Sequence, residues 1–337
     1  MILQPSPKLC RGGALLLLGS LLGGGCAPMS FLVTPVPAPR ALQEQVVRRE
    51  SLFASQRIAV IEIDGMIQNG REQSLAGATG ENPVALFKEK LDKAGGDSRV
   101  RAVVLRINSP GGTVTASDIM HGEVVAFRKR TGKPVIASML DVAASGGYYV
   151  ACACDRIYAH PTTVTGSIGV IALLPDFSGT MQKLGIAVNA IKSGAMKDSG
   201  SPFREMTEAD RAVFQKMIND MYERFLAVVH AGRPGIAADE LRKIADGRIY
   251  MADDARRLGL IDTVGGLEDA ITAAREAAGI GATPIVIVQY APTHVYRPNI
   301  YAHSPDGPTQ VNLVHLELPA LLKGGEPQFL YLWSPGW

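Results

Sequence analysis

The stretch DVAASGGYYVACAC, Asp141–Cys154, decides how the rest of the chain is read. It follows an apolar run, Pro134–Leu140, with the length and composition of a short buried strand. It then sets Ser145 between two alanines and a glycine pair, directly before an apolar segment, Tyr148–Ala153, that reads as a helix. A serine flanked by Ala144, Gly146 and Gly147 at a strand-to-helix corner presents its hydroxyl at a helix N-terminus. Unpaired backbone N–H groups and the helix dipole there favour negative charge on a reacting oxygen. The glycines permit a tight turn and close approach of a substrate. A plain glycine-rich turn would give the same string, so the case for chemistry depends on what surrounds it.

Outward from that corner, apolar strands alternate with helices. Upstream, RIAVIEID (57–64) is a strand, and Asn82-Pro83 opens an amphipathic helix that stops at Gly95-Gly96. VRAVVLRI (100–107) is a second buried strand running into Asn108–Gly112, followed by a helix to about Thr131 with Gly132 as its stop. Downstream come strand Arg156–Ala159, the turn Thr165–Gly169, strand Val170–Leu174, a short helix around Ser178–Leu184 and strand Ile186–Ile191. That last strand leads into a Gly/Ser/Lys loop, Lys192–Arg204. Thr207 and Asp210 make a capping box for a long helix to about His230. GRIYMADDARRLGLID (247–262) and a helix capped by Gly265-Gly266 and ending at Gly279 complete a domain over residues 55–280. The alternation predicts an α/β fold with a largely parallel sheet. Residues 281–337 form a C-terminal extension: one strand, Ile285–Tyr290, then irregular Pro-rich sequence. FLYLW (329–333) reads either as a docking strand or as an exposed apolar tail.

With 337 residues, 47% hydrophobic and 20% charged, the chain has room for a large core. A net charge of +2 is too small to argue for nucleic acid or for a polybasic membrane surface. Lys8 and Arg11 precede a short apolar run, Ala14–Leu22, about nine residues against the ~20 a helix needs to span a bilayer. Glycines 23–25 then lead to Cys26, an order that resembles a bacterial lipoprotein signal, with Gly23 where a leucine is usual. The reading is a signal segment 1–25 and a lipid on Cys26, with ordinary cleavage or an uncleaved anchor as the alternatives, and in each case a body lying outside the cytoplasm. Residues 26–54 read as a tether, extended through Pro28, Pro35, Pro37 and Pro39 and entering a short helix over Gln43–Glu50. Cys152 and Cys154 read as buried free thiols. No metal-ligand spacing is present, and no cofactor is expected.

A nucleophilic serine needs a base. The histidines, His121, His160, His230, His294, His303 and His315, leave residues 161–229 empty and carry no orienting motif. The other solution is a lysine driven neutral by burial, and Lys192 and Lys197 both lie in the loop after Ile191.

INSPGG (107–112), AASGGYY (143–149), TGSIGV (165–170) and KSGAMKD (192–198) followed by SPFRE (201–205) occur in that order. Together they resemble the bacterial signal peptide peptidase A family in its short, single-repeat form, over about residues 55–290. The resemblance implies a crotonase-like fold of repeated ββα units, related to the proteolytic subunit of Clp. It also implies a Ser/Lys-dyad endopeptidase. Ser145 matches the nucleophile, Lys197 the general base and Ser167 the serine that orients the lysine amine. Gly112 and Gly146 match the oxyanion-hole N–H donors, and Lys192 is the neighbouring, non-catalytic lysine. Leu140 departs from the small residue that the pattern carries there. The implied substrates are remnant signal peptides and other apolar peptides at the membrane. The implied assembly is a ring-shaped homo-oligomer with sites at subunit boundaries. An acyl-CoA enzyme of the same superfamily and an inactive membrane scaffold are the alternatives. An extracytoplasmic address argues against the first, and the intact Ser145/Lys197 pair against both.

Overall fold

The computed structural model describes residues 42–70, 82–291 and 328–333. The signal segment, Cys26 and the proline-rich part of the tether lie outside these residues.

The elements form where the apolar runs and caps place them. β1 (Gln43–Arg49) and β2 (Gln56–Asp64) lead to α1 (Pro83–Gly96), β3 (Val100–Ser109) and the short β4 (Gly111–Thr113). Asn82 caps α1, its side chain accepting the N–H groups of Val84 and Ala85, with Pro83 in the first turn. α2 (Val114–Thr131) ends on Gly132, left-handed at φ 66°. Next come β5 (Val135–Ala144), α3 (Gly146–Ala151), β6 (Arg156–Ala159), β7 (Val164–Gly166), β8 (Ile171–Leu173) and α4 (Ser178–Lys183). α5 (Glu208–Gly232) starts on the Thr207–Asp210 capping box. α6 (Ala238–Ile244), β9 (Ile249–Met251), α7 (Ala252–Arg257), β10 (Thr263–Val264), α8 (Leu267–Ala277), β11 (Ile285–Ala291) and β12 (Gln328–Leu332) follow.

Among the described residues, nine strands share one sheet in the order β1–β11–β2–β3–β5–β6–β10, with β7 on β5 and β9 on β7. From β11 to β10 every pairing is parallel, as is β5 with β7. β1 and β9 join antiparallel. Strand residues alternate between two cores: Ala59, Ile61, Val103 and Leu105 face a large one, while Ile58, Val60, Ala102 and Val104 face a smaller one shared with Leu267, Ile271 and Ala274 of α8. A sheet buried on both faces is what parallel βα units require, and it explains the unbroken apolar runs in the sequence. The fold is α/β with a parallel-rich sheet, as expected.

Three local readings are corrected. Gln43–Arg49 is a strand and not a short helix. Its Gln, Glu and Arg residues favour helix by propensity, but β11 offers an edge with which Gln43–Val46 and Arg48–Arg49 pair antiparallel, with a register shift between Val46 and Arg48. Arg48 fastens it with a forked pair to Glu268. Second, Ile186–Ile191 forms no strand. No neighbouring strand pairs with it, and Ile186, Val188 and Ile191 are exposed. Third, β5 does not stop at Leu140 but runs to Ala144. FLYLW resolves as a docking strand: β12 lies between β4 and β8 in a second, three-stranded sheet.

Candidate active site

The corner that carries Ser145 is made by an irregularity in β5. Ile107 pairs with Met139, but Ser109 pairs with Ala143, so β5 spends extra residues over Leu140–Val142. Before the bulge β5 runs beside β6, and after it Val142–Ala144 run beside Val164–Gly166 of β7. The bulge therefore re-aims the strand end away from β6. Ser145 follows at φ 51°, ψ −112°, and α3 begins at Gly146, two residues earlier than the apolar run suggests. The Ser145 N–H donates to Gly166 O at 2.8 Å, and its carbonyl accepts the Tyr149 N–H at 2.8 Å. Below it, Tyr148 donates to Leu260 O at 2.8 Å and Tyr149 to Asp118 Oδ1 at 2.7 Å. Both phenols are thereby satisfied and α3 is fixed in the core.

Ser167 is the partner of this corner. Ala144 pairs with Gly166, so Ser145 and Ser167 each follow directly on a paired residue. Ser167 stands at φ 50° and donates its N–H to Arg248 O at 2.8 Å. Among the described residues, Ser145 and Ser167 are the two non-glycine residues in the left-handed region. Each such residue costs about 1–3 kcal/mol, and such strain persists only where the surroundings over-determine it. Both are buried, and among the described residues neither hydroxyl has a hydrogen-bond partner.

The third strand end is the Asn108–Gly112 turn. Ser109 Oγ donates to Gly65 O at 2.6 Å and accepts the Gly111 N–H at 3.1 Å. Ile67 donates to Gly111 O and accepts from Thr113, both at 2.8 Å. Gly111 and Thr113 thus both turn their backbone groups toward Ile67, which leaves the Gly112 N–H facing the opposite way. Only glycine fits there, because a Cβ on Gly112 would sit 1.8 Å from Ile67 O. A Cβ on Gly146 would come within 2.4 Å of Ser117 Oγ and 3.1 Å of the Gly111 Cα, so the two glycine segments are in contact. Ser145, Gly146, Ser167 and Gly112 therefore converge.

Lys197 does not join them within the chain. It lies in the 192–204 loop, exposed, and among the described residues its ammonium has no hydrogen bond or ion pair. The loop around it is held firmly. Lys192 Nζ reaches Asp198 Oδ1 at 2.6 Å and Ala195 O at 3.0 Å. Arg204 bridges Asp198 at 2.9 Å and Asp210 at 2.6 Å, and Ser199 Oγ donates to Asp210 Oδ1 at 2.7 Å. The Arg204 guanidinium, with Lys192 beside it, lowers the Asp198 carboxyl to about 2. Arg204 and Ser199 likewise hold Asp210 below the usual carboxylate range. Lys192 is thus a clamp on Asp198. Phe177, Leu184, Ile191, Met196 and Phe203 stand exposed on this part of the chain.

Of the histidines, His121 packs edge-on against Tyr149 at 5.3 Å, and burial lowers its pKa. Cys152 and Cys154 are buried free thiols, as read from the sequence, and burial pushes Cys152 up to about 12. Sequence reasoning missed Ser117, which packs on Gly146, and Tyr331, whose ring enters the core beside Tyr149. Only the apolar run FLYLW pointed to the second.

Residues 127–281 match the model of peptidase family S49. The chain is 34% identical over 231 residues to protease 4 of Haemophilus influenzae, covering 68% of this chain and 36% of that protein. It is 41% identical over 196 residues to a putative protease of Methanocaldococcus jannaschii, 58% of this chain and 62% of that one. It is 33% identical over 237 residues to a putative signal peptide peptidase of Enterococcus faecium, 70% of this chain and 67% of that one. The chain thus spans about a third of the length of the first of these relatives and about three-fifths of the second.

Proposed function

The chain belongs to peptidase family S49, a family of serine peptidases, and on that footing we propose that it is a serine endopeptidase working through a Ser145/Lys197 dyad. The observation that carries the reading is the convergence of Ser145, Ser167, Gly112 and Gly146 at three strand ends, with positive φ among the described non-glycine residues found at the two serines. The neutral Lys197 amine takes the Ser145 proton as Oγ attacks the scissile carbonyl. Ser167 orients that amine. The Gly112 and Gly146 N–H groups receive the charge that develops on the carbonyl oxygen. The lysine then returns the proton to the leaving amine, and water hydrolyses the acyl-enzyme.

Lys197 completes the site from a neighbouring chain. An exposed ammonium is a poor base. Packing the loop against a second copy desolvates it and favours the neutral amine. The exposed apolar side chains beside the loop supply a face for that contact. A ring-shaped homo-oligomer of crotonase-like subunits follows.

The proposed substrates are remnant signal peptides and other apolar peptides at a membrane surface; the name of the Enterococcus faecium relative, a putative signal peptide peptidase, supports the first of these. Among the described residues no helix is long and apolar enough to cross a membrane. Attachment is assigned to a lipid on Cys26, with the catalytic body extracytoplasmic. The test is hydrolysis of a fluorogenic leucine-rich peptide by the purified chain. Wild type cleaves it, and Ser145→Ala and Lys197→Ala do not. Equal cleavage by wild type and Ser145→Ala would remove the nucleophile assignment.

A further inference from the structure

α3 has six residues, under two turns, and the Ser145 hydroxyl at its N-cap makes no capping bond. So short a helix does not hold itself, and its place is set by what its side chains reach. Its first turn closes with the bond from the Tyr149 N–H to Ser145 O at 2.8 Å. The fully buried Tyr149 side chain then runs to α2, where its hydroxyl donates to Asp118 Oδ1 at 2.7 Å. One residue thus holds the carbonyl of the nucleophile at one end and a carboxylate of the neighbouring helix at the other.

α2 is the helix that leaves the oxyanion turn, beginning at Val114, two residues after Gly112. Ser117 on it donates to Thr113 O at 3.0 Å and stands 2.4 Å from the point a Cβ on Gly146 would occupy. Asp118 is the next residue. α2 therefore meets α3 through a steric stop at Gly146 and a hydrogen bond at Tyr149. The stop limits approach of the Gly112 turn to Ser145, and the Asp118 bond limits separation.

The carboxylate is itself held. Arg224 of α5 takes it in a fork, Nε to Oδ1 at 2.9 Å and Nη2 to Oδ2 at 2.8 Å. Both side chains of that pair are partly exposed, so the pair adds little to stability, but the planar fork fixes the direction in which Oδ1 faces. His121, also on α2, packs edge-on against Tyr149. Burial lowers its pKa, which favours the neutral imidazole and leaves the carboxylate to Tyr149 and Arg224.

We propose that Asp118 is a positioning residue: through the Tyr149 hydroxyl it sets the spacing between Ser145 and the Gly112 N–H, and with it the geometry in which the oxyanion is received. The inference rests on the peptidase reading of Ser145. Any oxygen acceptor at position 118, carboxylate or amide, serves this role. A side chain without one leaves the buried Tyr149 hydroxyl unpaired, and the first turn of α3 shifts to find another partner.

The test compares full-length wild type with Asp118→Ala, Asp118→Asn, Tyr149→Phe and the double variant Asp118→Ala/Tyr149→Phe. The readouts are the rate of Ser145 labelling by a fluorophosphonate, kcat and KM for a fluorogenic leucine-rich peptide, and hydrogen–deuterium exchange over residues 145–151 and over β3. Asp118→Ala and Tyr149→Phe should each slow labelling and lower kcat about ten- to a hundredfold, with KM changed less than about twofold. The double variant should be no worse than either, since both singles break the same bond. Asp118→Asn keeps an acceptor and should return to within about threefold of wild type. Exchange should quicken over 145–151 and stay unchanged over β3. Additive losses in the double variant, or exchange that quickens over β3 as much as over α3, would show a merely structural role and overturn the inference. Wild-type labelling and kcat in Asp118→Ala would overturn it alone, leaving the peptidase reading in place. A wild type that neither labels nor hydrolyses removes the peptidase reading and this inference with it.

Discussion

The Ser145 corner and the Lys197 loop are built on opposite physical plans. The corner is buried and over-determined. Three strand ends, a bulge in β5 and the glycines at 112 and 146 leave the backbone no alternative, and two strained serines are carried inside a dense core. Among the described residues the loop pairs with no strand, and it touches apolar side chains at Gly200, which lies against Phe214 and Leu174. It is pinned by the charges of Lys192, Asp198, Arg204 and Asp210, and it holds Lys197 out in solvent. Packing makes the half that must not move. A charge clamp holds the other half, whose lysine the proposed dyad would need a second surface to cover.

The largest effects fall on the two reacting groups. Ser145→Ala and Lys197→Ala should each lower kcat by about 10⁶, and the double variant should be little worse, because dyad members act as a unit. Steady-state kinetics with unchanged circular dichroism checks this, and an active Lys197→Ala enzyme would break the contrast between the two regions. Next is Gly112→Ala. Its Cβ would meet Ile67 O at 1.8 Å, so the turn must shift and the oxyanion donor with it, costing about 10²–10³ in kcat. A variant with normal kcat would show that Gly112 supplies no donor.

Smaller effects are expected in the loop. Arg204→Ala should lower kcat about tenfold, lower the melting temperature and speed tryptic nicking after Lys197, since it releases Asp198 and leaves the buried Asp210 carboxylate without its cation. Lys192→Ala should be milder still, because Arg204 remains on Asp198. The smallest effect is in acid. Asp198 is lowered to about 2 by Arg204 and Lys192, against ~3.9 when free. Its contribution to loop order is therefore complete above pH ~4 and lost as pH falls through about 2. The Lys197 and Asp198 amide NMR signals should move with a midpoint near 2; a midpoint near pH 4 would mean the clamp does not form in solution.

Much of this was legible in the sequence, for reasons tied to particular residues. The Thr207–Asp210 box, the Asn82-Pro83 start and the Gly132 stop are local signals, and local signals survive folding. The buried runs at 57–64 and 100–107 needed only a sheet with two covered faces. The misreadings depended on partners distant in sequence. Gln43–Arg49 is a strand because β11 lies 242 residues on from it, counted from Gln43 to Ile285. Ile186–Ile191 has strand composition but finds no ladder. At the site, Ser145 and its flanking glycines stood out as a strand-to-helix corner, and their roles came from the family resemblance. The bulge that aims Ser145 and the Tyr331 ring packed beside Tyr149 could not be read, because register and tail docking have no short-range signature.

The account turns on a site shared between two chains, and subunit mixing tests that directly. Ser145→Ala chains and Lys197→Ala chains, each inactive alone, are combined under conditions where subunit exchange is verified by mass-tagged heteromers, and peptide hydrolysis is measured. Junctions that pair an intact Ser145 with an intact Lys197 are working sites, so the mixture should recover a substantial fraction of wild-type activity. Confirmed exchange with no recovered activity would place both groups in one chain and contradict the account.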